Sequence, residues 1–255
     1  MALELVTIPC LADNYAYLIH DPVSGRTAVV DVPETAPILR ELTFREWTLS
    51  DIFLTHHHDD HILGVAELRR ITGARVWGAG ADRHRLPRLD EVLGAGDEIN
   101  FGTDTGIVID VPGHTLGHIA FYFAKAGLAF TGDSLMAGGC GRLFEGGPDQ
   151  MWATLTKLAA LPPETLICSG HEYTASNLRF AASIEPENPA IMARIMRVAK
   201  ARAEGRATVP SRLMGELQTN PFLRAGEPAV KAAVGLDDAA DAVVFAELRA
   251  RKDRF

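Results

Sequence analysis

Thr55-His56-His57-His58-Asp59-Asp60-His61 follows the apolar triplet Ile52-Phe53-Leu54 and precedes a helix-like pattern over Ile62–Thr72. The run is therefore a loop that leaves a strand and enters a helix. Four of the nine histidines fall in these few positions, beside two carboxylates. A purification tag would sit at a terminus, and a merely solvated loop has no need of His-x-His-x-Asp-His. Imidazole and carboxylate at this density point to a bound metal.

Three more stretches share one grammar: an apolar run ends, a glycine follows, and a metal-type ligand comes next. They are Val111-Pro112-Gly113-His114, Phe130-Thr131-Gly132-Asp133 and Cys168-Ser169-Gly170-His171. In α/β proteins functional side chains gather beyond the carboxyl ends of strands. Glycine there permits a sharp turn. The candidate ligands are His56, His58, Asp60, His61, His114, Asp133 and His171. No cysteine joins them, which disfavours a closed structural zinc site. Seven ligands exceed the needs of one tetrahedral ion but suit two ions that share a carboxylate and a bridging water, an arrangement that serves hydrolysis. His20 and His84 read as ordinary polar positions, and His57 and His118 are left outside the set.

Around these sites the first two-thirds of the chain alternates short β-branched runs with helical patterns. Strands are predicted at Tyr17–Ile19, Thr27–Val32, Asp51–Leu54, Arg75–Trp77, Gly106–Val111, Ile119–Phe123, Leu128–Thr131 and Thr165–Cys168. Met151, Leu155 and Leu158 mark one face of a helix over Pro148–Leu161, with Asp149 placed to cap it. Past residue 174 the pattern turns helical. Asn188-Pro189 starts one helix that ends near Gly205, shorter pieces follow at Ser211–Gln218 and Pro228–Val234, and a last helix covers Asp238–Lys252. The fold class is α/β with a mostly helical C-terminal region, divided into 1–173 and 174–255. With 255 residues, 47% hydrophobic and 23% charged, the chain is globular rather than disordered or fibrous. A net charge of −8 argues against nucleic acid as a partner. Three scattered cysteines and an opening stretch without the marks of a secretory signal predict a cytoplasmic protein.

Thr-His-x-His-x-Asp-His with the downstream Gly-His, Gly-Asp and Gly-His pairs resembles the metallo-β-lactamase superfamily, whose fold is an αββα sandwich. More narrowly, the chain resembles the hydroxyacylglutathione hydrolase (glyoxalase II) family. The stretches that carry this are Ile8-Pro9 through Asp13-Asn14-Tyr15, Gly113 to His118, Gly139-Cys140-Gly141-Arg142-Leu143-Phe144-Glu145-Gly146, His171-Glu172-Tyr173-Thr174, Thr219-Asn220-Pro221-Phe222 and Arg249 to Phe255. The resemblance covers essentially the whole chain. It implies one metal on His56, His58 and His114, a second on Asp60, His61 and His171, and Asp133 between them. Two divalent transition-metal ions are expected, zinc first, with iron or manganese as alternatives. Asp60 and Asp133 would also orient the hydroxide that attacks the thioester. Asp31 is either a residue that orients a ligand or a turn residue.

The resemblance further implies that Arg142, Phe144, Tyr173, Arg249 and Lys252 bind the glutathione moiety. Arg142 replaces a lysine found in some members and keeps the charge. Phe144 replaces a tyrosine and loses its hydroxyl. The implied reaction is hydrolysis of S-(2-hydroxyacyl)glutathione, typically S-D-lactoylglutathione, by a monomeric enzyme. The alternative in the same superfamily is a mononuclear-iron glutathione persulfide dioxygenase, which typically lacks the long helical tail. A non-hydrolytic di-iron electron carrier is the alternative of another class.

Overall fold

The computed structural model describes residues 3–255 and resolves them into two compact units, Met1–Asp110 with Gly117–Gly132, and Val111–Leu116 with Asp133–Phe255. In the first, a six-stranded sheet runs in the order β1 (Glu4–Cys10), β2 (Asn14–His20), β3 (Thr27–Val30), β4 (Leu49–Phe53), β5 (Arg75–Ala79), β6 (Glu91–Leu93). The pairs β1–β2 and β2–β3 are antiparallel, and β3 through β6 are parallel. Parallel strands are buried on both faces, which explains why Thr27–Val30 reads as an unbroken apolar run.

One face of this sheet takes α1 (Thr35–Arg45) and α3 (Val65–Thr72), whose Ile38, Leu42, Val65 and Leu68 pack with Val29, Ile52 and Val76. The other face meets an antiparallel meander of β7 (Glu98–Phe101), β8 (Asp104–Asp110), β9 (Ile119–Phe123) and β10 (Leu128–Gly132). Phe53 joins the two layers, with ring centroids 5.4 Å from Phe121 and 6.1 Å from Phe101. Tyr17 and Phe130 do the same at 5.7 Å.

The second unit begins with the two-stranded ladder of β11 (Leu135–Met136) and β12 (Gly139–Cys140). α4 (Pro148–Ala159) buries Met151, Leu155 and Leu158 as the spacing predicts. Its cap differs from the expected one. Gly147 holds the N-cap and Gln150 accepts the Gly147 N–H at 3.0 Å, so Asp149 lies in the first turn. After β13 (Leu166–Ser169) come α5 (Thr174–Ile184), α6 (Pro189–Ala203), β14 (Ser211–Arg212), α7 (Leu213–Thr219), α8 (Pro228–Val234) and α9 (Asp241–Arg254). The Asn188 carboxamide caps α6 through the Ala190 N–H at 3.0 Å. A chain of rings, Trp152–Phe245–Phe222–Phe180, runs from α4 through α9 to α5.

The single helix expected over Ile62–Thr72 is divided. A short α2 (Asp59–Ile62) precedes α3 because the Gly64 N–H bonds the Val32 carbonyl and the Gly64 carbonyl accepts the Thr35 hydroxyl. Those bonds tie the break to the turn after β3.

Candidate functional site

The histidine loop leaves β4 and turns into α2, and its histidines split by direction. His56 and His61 are fully buried and His58 is half-buried. The His56 ring lies 4.2 Å from His61, 4.6 Å from His118 and 4.7 Å from His58. His57 points elsewhere, with Nδ1 3.1 Å from the Asp82 carboxylate. Asp60 is held by Asn14, whose amide donates to both its carbonyl and its carboxylate at 3.0 Å.

Behind this set stands Asp31, a non-glycine residue at φ 57°. That left-handed conformation costs of order 1–2 kcal/mol in an L-residue. It lets the carboxylate accept the Thr55 N–H (2.9 Å) and hydroxyl (2.8 Å) while meeting His61 Nδ1 at 2.8 Å. His61 thus keeps Nε2 for another partner. Asp31 is therefore an orienting residue as well as a turn residue. Gly132, at φ 47°, ends β10 against the same loop. A Cβ there would come 2.6 Å from the Thr55 hydroxyl and 2.8 Å from His118.

In the second unit His114, Asp133 and His171 are all buried. One carboxylate oxygen of Asp133 lies 3.5 Å from His114 Nε2 and 3.2 Å from His171 Nε2. His114 Nδ1 is 2.8 Å from the Arg142 carbonyl, which assigns the proton to Nδ1 and turns Nε2 toward the Asp133 carboxylate. The His171 ring stacks on Tyr173 at 4.6 Å.

These donors fit a divalent transition metal. Imidazole nitrogens and carboxylate oxygens gathered this closely are of the kind that hold such an ion. Cysteine plays no part. Burial pushes the Cys10 thiol up to about 11 and raises those of Cys140 and Cys168, so all three stay protonated.

Of the residues expected to hold glutathione, Arg142, Phe144 and Tyr173 are exposed, Lys252 is half-buried and Arg249 is buried. Phe144 meets the His114 ring edge-on at 5.3 Å. Lys252 Nζ lies over Phe180 and Phe255 and donates to Ser176. Burial, with the charges of Arg249, Arg179 and Arg142, lowers its pKa to about 8. Asp253 acts on it in the other direction. Arg249 is committed to the Cys140 carbonyl (2.9 Å) and to Asp253. Asn14, Asn177, Glu216 and Asn220 support the site and were not singled out as site residues from sequence. Asn14 and Asn220 do lie in stretches that carry the family resemblance.

Residues 13–171 match the metallo-β-lactamase superfamily, which fixes the class of the fold, an αββα sandwich with a helical C-terminal region. The crystal structure of ETHE1 from Myxococcus xanthus is similar at a TM-score of 0.64 and 25% identity, covering 99% of this chain and 98% of that one. Residues 172–255 match the hydroxyacylglutathione hydrolase C-terminus. Hydroxyacylglutathione hydrolases of Cereibacter sphaeroides and Fuscovulum blasticum are 65% and 63% identical over 255 residues, the full length of each chain. The chain belongs to the hydroxyacylglutathione hydrolase family of thiolester hydrolases. Membership implies divalent metal on histidine and aspartate clusters of the kind described here. The matched C-terminal region favours this family over the persulfide dioxygenase alternative.

Proposed function

We propose that the chain hydrolyses S-(2-hydroxyacyl)glutathione, typically S-D-lactoylglutathione, to glutathione and a 2-hydroxy acid, as the second step of methylglyoxal detoxification. The observation that carries this is the matched helical tail, whose Lys252 shares one unit with Arg142, His114, Asp133 and His171. Like charges around Lys252 make an anion-seeking patch, and glutathione carries carboxylates. His56, His58 and His114 would hold one ion, Asp60, His61 and His171 a second, and Asp133 would serve both. Zinc is the first choice for both.

When bound, the ions lower the pKa of water toward ~7 and polarise the thioester carbonyl. Asp60, steadied by Asn14, and Asp133 accept hydrogen bonds from the attacking water and orient it. Arg142, Phe144, Tyr173, Arg249 and Lys252 receive the glutathione moiety, which does not change during hydrolysis. Its thiolate leaves more readily than an amine would. The enzyme works as a cytoplasmic monomer, and no helix among the described residues is long and apolar enough to cross a membrane.

Steady-state hydrolysis of S-D-lactoylglutathione, measured beside metal content, tests the assignment. Chelation should abolish activity and zinc restore it. Asp133→Ala should empty both positions, while His171→Ala should chiefly empty one. Full activity at one ion per chain would refute the dinuclear site.

A further inference from the structure

The hairpin of β11 and β12 starts two residues after Asp133 and ends two residues before Arg142, whose carbonyl meets His114 Nδ1. Its ladder has only two residue pairs, Leu135↔Cys140 and Met136↔Gly139. So short a hairpin is not stable by itself. The helical tail supplies what the ladder lacks. Asn220 Nδ2 donates to the carbonyls of Met136 (3.3 Å) and Gly139 (2.9 Å). Asn177 Nδ2 donates to the Ala137 carbonyl at 3.1 Å, and Glu216 accepts the Gly138 N–H at 2.7 Å. Arg249 donates to the Cys140 carbonyl.

These side chains are themselves fixed. Glu216 is fully buried and paired with Arg194, which also donates to the Thr219 hydroxyl. Arg249 lies over the Phe222 ring at 5.1 Å and bonds Asp253. Beyond the hairpin, the Gly141 N–H bonds the Ser134 carbonyl at 3.1 Å. A Cβ on Gly141 would run into the Asp133 carbonyl and come 3.0 Å from His114 Nδ1. The loop is thus packed directly against the Asp133 backbone and the His114 ring.

We propose that Asn177, Glu216, Asn220 and Arg249 are positioning residues for Asp133 and His114, and that they act through the 135–142 loop on how those two side chains meet a metal. The proposal rests on the reading of Asp133 and His114 as ligands. It gives the tail a second task beside holding glutathione, because residues that fix ligand orientation typically govern 10–100-fold in metal affinity or activity.

The test uses full-length protein carrying Asn220→Ala, Asn177→Ala or Glu216→Gln, the last of which keeps an acceptor for the Gly138 N–H. Cobalt(II) affinity by competition with a chelator, the visible spectrum of the cobalt protein, and kcat and KM are read below each variant's melting transition. Asn220→Ala and Asn177→Ala should each weaken cobalt binding by about tenfold, alter the spectrum and lower kcat more than they raise KM. Glu216→Gln should retain most of the wild-type values. Folded Asn220→Ala and Asn177→Ala proteins with wild-type cobalt affinity and spectrum would overturn the proposal, leaving these asparagines a purely stabilising role. If Asn220→Ala does not fold, Asn177→Ala, which loses a single contact, decides alone. Wild-type protein that takes up no cobalt would overturn the ligand reading and this proposal with it.

Discussion

Lys252 is a cation held where a cation is disfavoured, and its titration should be visible in substrate binding. With a pKa of about 8 it is charged below that pH and neutral above it. If its charge receives a glutathione carboxylate, KM should be flat up to about pH 8 and rise beyond it. A bound carboxylate would draw the pKa back up, so substrate binding between pH 8 and 9 should take up a proton. Lys252→Arg keeps the charge and should flatten the curve. Lys252→Met should raise KM roughly tenfold at pH 7, given ~1.5–3 kcal/mol for a charged hydrogen bond and a site only half-buried. kcat should hold in Lys252→Met, whereas Arg249→Ala, through the Cys140 carbonyl, should lower kcat as well as raise KM. Stability moves the opposite way to binding. A lysine pKa below its ordinary ~10.4 penalises the folded state below pH 8, and the penalty fades as pH climbs toward 10. A pH-independent KM in the wild type would remove Lys252 from the substrate contacts. All seven candidate ligands were legible in the sequence because each follows a strand in a local pattern that one chain can display. Apart from Asp31, their supports were not. Asn14, Asn177 and Glu216 are single polar residues whose partners lie 46, 40 and 78 positions away.

Strand β4 shows how one buried carboxylate can join three strands. Asp51 is fully buried and accepts from Arg26 (2.7 Å), Trp77 Nε1 (2.9 Å), Arg75 (3.0 Å) and Ser50 (2.6 Å). Burial alone would raise its pKa, but the Ser50 hydroxyl, Arg26 and Trp77 outweigh that and hold it below the usual carboxylate range. Its contribution is therefore present above about pH 4 and lost as pH falls below that. Asp51→Ala should cost about 2–3 kcal/mol, because it leaves the Trp77 N–H and the Arg26 guanidinium without their acceptor while both arginines keep some solvent. Melting should fall by about 5–10 °C at pH 7, and the gap to wild type should narrow toward pH 3. A constant gap across that range would mean the charge of Asp51 is immaterial. The sheet around it was only partly legible. β1 was missed because it is an edge strand that carries Pro9, which a central strand would not tolerate. The β6, β7, β11 and β14 strands are two to four residues long, too short to show a period. Only pairing partners elsewhere in the chain make strands of them.

Metal should also account for a measurable share of the protein's stability. The proposed ligands are five histidines and two aspartates at positions 56 to 171, most of them out of contact with solvent. The His56 ring lies 4.2 Å from His61 and 4.7 Å from His58, and a divalent cation is a natural partner for imidazoles gathered this closely. An ion that binds only the folded state stabilises it by about 2.7 kcal/mol at a hundredfold excess over Kd. Two ions would then contribute roughly 5 kcal/mol, and in a chain of this length each kcal/mol moves the melting point by about 2–4 °C. Chelation should lower the melting temperature by 10 °C or more (about 5 kcal/mol at that sensitivity) and lessen its dependence on acid, since proton and metal compete for the same nitrogens only in the loaded protein. Asp133→Ala should already melt near the chelated value and respond little to chelator. His171→Ala should fall between the two, because one ion keeps its other ligands. Calorimetry of loaded, chelated and substituted proteins at one pH separates these cases. If the chelated wild type melted where the loaded protein does, the clustered side chains would be satisfied by their own hydrogen bonds, and the shared role of Asp133 would have to be abandoned.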